Sequence, residues 1–226
     1  MKQICKLVVM LLLAFTAGVQ AQLVTYPESL NPGMPHNDDY TVRVRIPGGE
    51  WKDLFEYNVQ VDMDNVQNAS MVQFDMGSAV EVMVKKNNGS VREVTIRPLS
   101  KGIEYKQIQN AILFTLEKPQ YLSIEFDGDR LHNLHLFANP LETEKYDKET
   151  KGIMYFGPGV HRPKDLPNNQ IRIPGNTTVY LAPGAVVKAK LLVDKAENVR
   201  IIGRGILDHP IRGIEVTDSK NVLIDG

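Results

Sequence analysis

The stretch 171–226, IRIPGNTTVYLAPGAVVKAKLLVDKAENVRIIGRGILDHPIRGIEVTDSKNVLIDG, limits what this chain can fold into more than any other. It is a succession of short β-branched runs broken by Gly, Pro, Asn and Asp, with no helical period. The runs recur. Laying 191–203 (LLVDKAENVRIIG) over 214–226 (IEVTDSKNVLIDG) matches Val193 with Val216, Asn198 with Asn221, Val199 with Val222 and Gly203 with Gly226, a shift of 23 residues. Val179 lies 20 residues before Val199. A loose period of about 20 to 23 residues is that of a solenoid.

A leucine-rich repeat would need a Leu-x-x-Leu-x-Leu scaffold, which is absent. Short strands between turn residues instead predict a parallel β-helix, with two or three strands per coil, apolar side chains stacked inward and each strand paired one coil away. Asn198 and Asn221 precede equivalent strands, where Asn accepts a left-handed backbone or bonds its own turn. Their expected role is structural.

The run VYLAPGAVVKAKLLVDKAENVRIIGRGILDH resembles the opening coils of the right-handed β-helical glycoside hydrolases of the polygalacturonase type. It is also similar to the dextranase and isopullulanase type, which places a β-sandwich ahead of the same helix. The matched turns are Pro158-Gly159, Pro183-Gly184 and Gly203-Arg204-Gly205-Ile206-Leu207-Asp208. Their order carries the resemblance, which covers about the last third of the chain.

The chain opens MKQICKLVVMLLLAFTAGVQAQ, two lysines ahead of an apolar run and a small-residue ending. This predicts a secretory signal peptide over 1–21, cleaved after Ala21, and a secreted or periplasmic protein. The apolar run is shorter than the roughly 20 residues that span a bilayer, so no membrane anchor is expected. Cys5, the single cysteine, falls inside the leader, which excludes a disulfide framework or thiolate metal site from the mature chain. Losing Lys2 and Lys6 leaves 24 of the 26 Lys+Arg against 27 Asp+Glu, a net charge of −3. That balance does not point to nucleic acid or anionic membranes as partners.

Residues 22–139 alternate like half-buried strands at 41–46, 57–61, 79–84, 91–96, 111–116, 121–126 and 131–137. Such spacing predicts an antiparallel β-sandwich. Asn87-Asn88-Gly89 and Asp127-Gly128-Asp129 read as hairpin turns. The charged stretch 140–151, PLETEKYDKETK, reads as a solvated linker, with the β-helix beginning at 152 and running to 226. The polar 162–170 reads as a loop over the first coil. The fold class is therefore all-β, a sandwich followed by the first coils of a right-handed parallel β-helix, C-terminally incomplete.

Several residues invite sharper readings. His132 and His135 stand three apart in an alternating run, which puts them on opposite faces and leaves zinc short of ligands. Asp127-Gly128-Asp129 and Asp62-x-Asp64 lack the remaining oxygens of a calcium loop. Gly203-x-Gly205 has no third glycine and no following helix for a dinucleotide. Trp51 reads as a core plug rather than a sugar platform. No metal and no cofactor is expected.

Inverting hydrolysis of a glycoside needs a protonated carboxyl and a second carboxylate about 6.5 to 9.5 Å apart. The polygalacturonase resemblance implies that these come from Asn-Thr-Asp and Asp-Asp segments, with Gly-His-Gly and Arg-Ile-Lys beside them. The coils from 152 onward contain none of the four. Asp208, His209, Arg212, Glu215, Asp218 and Asp225 are the charged cluster there, and turn contexts account for the aspartates. No catalytic residue is assigned.

The resemblance implies the N-terminal part of a secreted polysaccharide hydrolase, inverting, acting on pectic galacturonan or a related α-glycan. The alternatives are a β-helical lyase using calcium held by clustered aspartates, and a non-catalytic carbohydrate-binding or adhesive module.

Overall fold

The computed structural model describes residues 22–26, 33–62, 64–163, 169–208 and 212–226. The expected leader, His209 and most of the loop expected at 162–170 lie outside them.

Alternation builds the first part. After the short β1 (Leu23–Thr25), β2 (Tyr40–Arg45) buries Tyr40, Val42 and Val44 and turns Thr41, Arg43 and Arg45 to its other face. Then come β3 (Lys52–Asp53), β4 (Tyr57–Val61), β5 (Gln67–Met76), β6 (Val80–Lys86), β7 (Val94–Arg97), β8 (Lys106–Ile108), β9 (Ala111–Leu116), β10 (Gln120–Phe126) and β11 (Leu134–Pro140). One sheet has the order β3-β2-β6-β9-β8, and the other β1-β5-β11-β10-β7, with β4 also on β5. Val42, Val82 and Ile112 of the first meet Phe74, Leu136 and Ile124 of the second in one core. The two sheets make a β-sandwich, and full burial of side chains this size stabilises by roughly 1.5–3 kcal/mol each.

Three details depart from expectation. The central pair β5 and β11 is parallel, so the second sheet is mixed. Asn87-Asn88-Gly89 does not close a hairpin: β6 pairs with β2 and β9, whereas β7 pairs with β10 in the other sheet. An Asn-Gly step fixes positive φ and a reversal, but the pairing partner is chosen by which face must be buried. The third is β5, the longest strand at 10 residues, which is not among the runs read from the sequence.

The second part is a parallel β-helix with three strands per coil. Its first coil holds β12 (Ile153–Phe156), β13 (Gly159–His161) and β14 (Gln170–Arg172). The second holds β15 (Thr178–Leu181), β16 (Ala185–Val187) and β17 (Lys190–Asp194), and the third β18 (Glu197–Gly203), β19 (Ile206–Leu207) and β20 (Ile214–Thr217), followed by β21 (Lys220–Asp225). Three parallel sheets result, β12-β15-β18-β21, β13-β16-β19 and β14-β17-β20. Register sets Met154, Val179 and Ile201 in one inward row, and Ile224, paired with Ile201 on the last strand, is exposed. Val193 pairs with Val216 and Val199 with Val222, the expected shift of 23, but Val179 pairs with Ile201 at 22. Exposure climbs from 0% at Val193 to 44% at Val216, so the last coil is covered on one side only.

Asn176, Asn198 and Asn221 stack into a ladder. Asn221 Nδ2 donates to Asn198 Oδ1 at 2.7 Å, and Asn198 Nδ2 to Asn176 Oδ1 at 3.0 Å. All three hold positive φ, 51° to 57°, a conformation Asn tolerates better than most residues. Asn198→Ala is expected to cost about 1–2 kcal/mol through both losses, and Asn198→Gly less, because it keeps the backbone free. Urea melts of the two variants check this; equal costs would mean that the backbone conformation contributes nothing.

Candidate functional site

Asp194, Glu197, Asp208 and Glu215 of the coils are tied into rungs between coils. Lys188, just past β16, holds the Asp208 carboxylate, just past β19, in an ion pair, and the Asp208 N–H donates to the Val187 carbonyl at 3.0 Å. Lys190 donates to Glu215 at 2.8 Å, with Arg212 4.0 Å from the same oxygen. Lys190 holds the Glu215 carboxyl below its usual range, which makes Glu215 a poor proton donor for a leaving group. Asp218 takes a left-handed turn after β20, φ 48°, and Asp225 ends β21. The lysines that hold Asp208 and Glu215 thus flank Ala189 in the sequence.

Asp208 and Lys188 also floor a cleft. The sandwich edge lines it from the other domain, with Pro35 and Asn58, Val59 and Gln60 of β4; the cleft is open to solvent on one side and its volume is about 490 Å³. The Asn58 amide is occupied, accepting from Asn37 at 3.0 Å and donating to Asn68 at 3.2 Å. Gln60 is exposed.

A buried polar network also joins the sandwich to the helix. Arg204, in the turn after β18, donates Nε to Asp75 Oδ1 at 2.8 Å and Nη2 to the Pro140 carbonyl at 2.9 Å. Tyr26 donates to Asp75 Oδ2 at 2.9 Å, and Gln73 Nε2 to the Arg204 carbonyl at 3.2 Å. Burial first, then the Asp75 charge, pushes the Tyr26 hydroxyl far above its ordinary pKa. Tyr26 stays a neutral donor.

The stretch expected to be a solvated linker is docked as well. Tyr180 donates to Glu142 at 3.2 Å, Arg200 grips both Glu144 oxygens at 2.6 and 2.9 Å, and the Tyr146 ring stands edge-on to Tyr180. The hydrogen bonds from Arg200 and Tyr146 lower the Glu144 pKa to about 2 from 4.5. A depressed carboxylate contributes fully above its unfolded pKa and is lost as pH falls through its folded one. The Tyr146 ring contact, followed by proton NMR, is therefore expected to survive at about pH 4 and release only toward about pH 2. Release at the higher pH would contradict this.

The remaining sequence candidates are dispersed. His132 sits in the turn after β10 with Nδ1 2.9 Å from Asp129, while His135 lies on the outer face of β11, where burial lowers its pKa. Asp127 and Gly128 take positive φ in the β10–β11 turn. Asp62 does so after β4 and accepts the Asn65 N–H at 3.3 Å. Trp51 is not a core plug: it is half-buried at the sandwich surface with the Arg45 guanidinium 4.3 Å above its ring, a cation–π contact. The chain's Asp-Asp pair, Asp38-Asp39, lies in the sandwich just before β2.

Sequence reasoning missed Lys188, Gln60 and the Asp75–Arg204 pair. Only Lys188 carried a signal, since its partner Asp208 follows 20 residues later, about one coil on.

No family model matches the chain, and no curated protein does. Among solved structures, Dex49A from Penicillium minioluteum matches with a TM-score of 0.61 at 21% identity, over 81% of this chain and 48% of that one. The chain spans about half the length of Dex49A. The overlap is longer than the sandwich or the coils alone, so both contribute to it. The likeness shows the fold: a β-sandwich followed by the coils of a parallel β-helix.

Proposed function

We propose that this chain is the sandwich and opening coils of a secreted, polysaccharide-degrading glycoside hydrolase that acts on an α-linked glycan with inversion. One observation carries the reading: the overlap with Dex49A runs through the sandwich and into the coils. That order favours the sandwich-bearing dextranase and isopullulanase type over the polygalacturonase type, so a neutral α-glycan is the first substrate to try and pectic galacturonan the second. The leader at 1–21 supports export, and N-terminal sequencing of the exported protein is expected to start at Gln22.

The test is release of reducing ends from dextran, pullulan and polygalacturonate by the full-length product of the gene. Hydrolysis of one of them is expected. Unsaturated sugar products would instead make the protein a lyase. The 226 residues alone are expected to give no turnover, because Asp208 and Glu215 are held by lysines; turnover by them would place the reacting carboxyls on these coils.

A binding module is the second reading, and one surface favours it. Tyr121, 48% exposed, meets Phe137 edge-on on the outer sandwich face beside Leu99 and His135, and exposed aromatic rings suit sugar stacking. Retention on a polysaccharide column without any hydrolysis by the full-length protein would favour it.

A further inference from the structure

We propose that the cleft between β4 and the Lys188–Asp208 rung is a glycan subsite built jointly by sandwich and helix, taking one uncharged pyranose unit. The proposal rests on the reading of the chain as part of a glycan hydrolase. A volume of about 490 Å³ falls within the roughly 300–1,000 Å³ of small-ligand sites, which are mostly apolar with a few placed polar groups. The walls fit that description. Met34, Pro35 and Val59 line it together with Ile206, while Leu207 turns into the coil core, giving apolar surface for the C–H face of a sugar ring.

The polar groups fit hydroxyls. Lys188 Nζ spends one proton on Asp208 Oδ2, and an ammonium carries three. Two donors and the second carboxylate oxygen therefore stand side by side. Neighbouring sugar hydroxyls each donate and accept, so the pair complements a vicinal diol with charge-assisted hydrogen bonds. Across the cleft the exposed Gln60 adds an amide from the sandwich. Charge disfavours a uronate, because its carboxylate would meet that of Asp208 while the lysine charge is already offset.

A rung that only fastened coil to coil would not bind sugar. The test is methyl NMR of the 226-residue chain labelled at methionine, titrated with isomaltotriose, maltotriose and trigalacturonate. A neutral trisaccharide is expected to move the Met34 methyl and leave Met83, on the other sheet, in place. Trigalacturonate and the Lys188→Met variant should each bind about tenfold more weakly, the scale of one hydrogen bond to a charged group. Gln60→Trp, which fills the cleft and spares the rung, should abolish the shift even if Lys188→Met fails to fold. An unmoved Met34, a shift surviving in Gln60→Trp, or tighter trigalacturonate binding overturns the proposal. Glycan hydrolysis by the full-length protein with Met34 unmoved removes the subsite and leaves the hydrolase standing. A Met34 shift without hydrolysis supports the subsite and removes the hydrolase.

Discussion

Replacing Arg204 by alanine is expected to lower the unfolding free energy by about 3–5 kcal/mol, the cost of leaving one member of a buried ion pair alone. Asp75 is 2% exposed and Arg204 7%, so solvent cannot take the place of the missing guanidinium. The same change removes the donor to the Pro140 carbonyl, where the sandwich ends. Loss should therefore concentrate at the junction, and limited proteolysis should open residues 141–152 before the sandwich core. Replacing both partners with apolar side chains, Asp75→Leu with Arg204→Met, should cost less than Arg204→Ala, because no charge is left buried. A single alanine variant melting within a degree or two of the parent would show that the network is ornamental.

Gly203→Ala should cost at least about 3 kcal/mol, since strained backbone and a steric clash both enter. Gly203 holds φ +123°, and a Cβ there would lie 2.1 Å from the Leu181 carbonyl oxygen. That oxygen cannot retreat freely, because it accepts the N–H groups of Arg204 at 2.9 Å and Gly205 at 3.0 Å. Pushing it aside would unmake the turn that aims Arg204 at Asp75. Gly89→Ala is the control: φ is +74° with open space around it, and about 1 kcal/mol is expected. Equal losses in urea denaturation of the two variants would remove the close approach as a cause.

The coils were legible because stacking repeats a residue type at one position, as Val193 above Val216 and Val199 above Val222 show. Val179 misled, since its true partner Ile201 is apolar without being identical, and the coil core selects for apolar character rather than identity. Turns absorb length changes, so equivalent strands sit 25, 22 and 23 residues apart through Ile153, Thr178, Arg200 and Leu223. Alternation likewise gave β2, β4, β9 and β10. It could not give the outer face of β5, where Gln73 and Asp75 look solvent-facing but are covered by the helix.

The site was less legible than the fold for the same reason. Asp75 and Arg204 stand 129 residues apart, and no local pattern links them. Glu142, Glu144 and Tyr146 look like a solvated linker until Tyr180 and Arg200 are brought beneath them. Trp51 reads as core because a large aromatic ring gains most by burial, yet Arg45 covers its ring at the surface.

The anomeric form of the first product tests the central claim most directly. Proton NMR of an α-linked polysaccharide during digestion by the full-length protein is predicted to show β-configured reducing ends first, as inversion requires. Initial α-configured ends would contradict inversion, and an unchanged spectrum with every α-linked glycan offered would contradict the hydrolase itself.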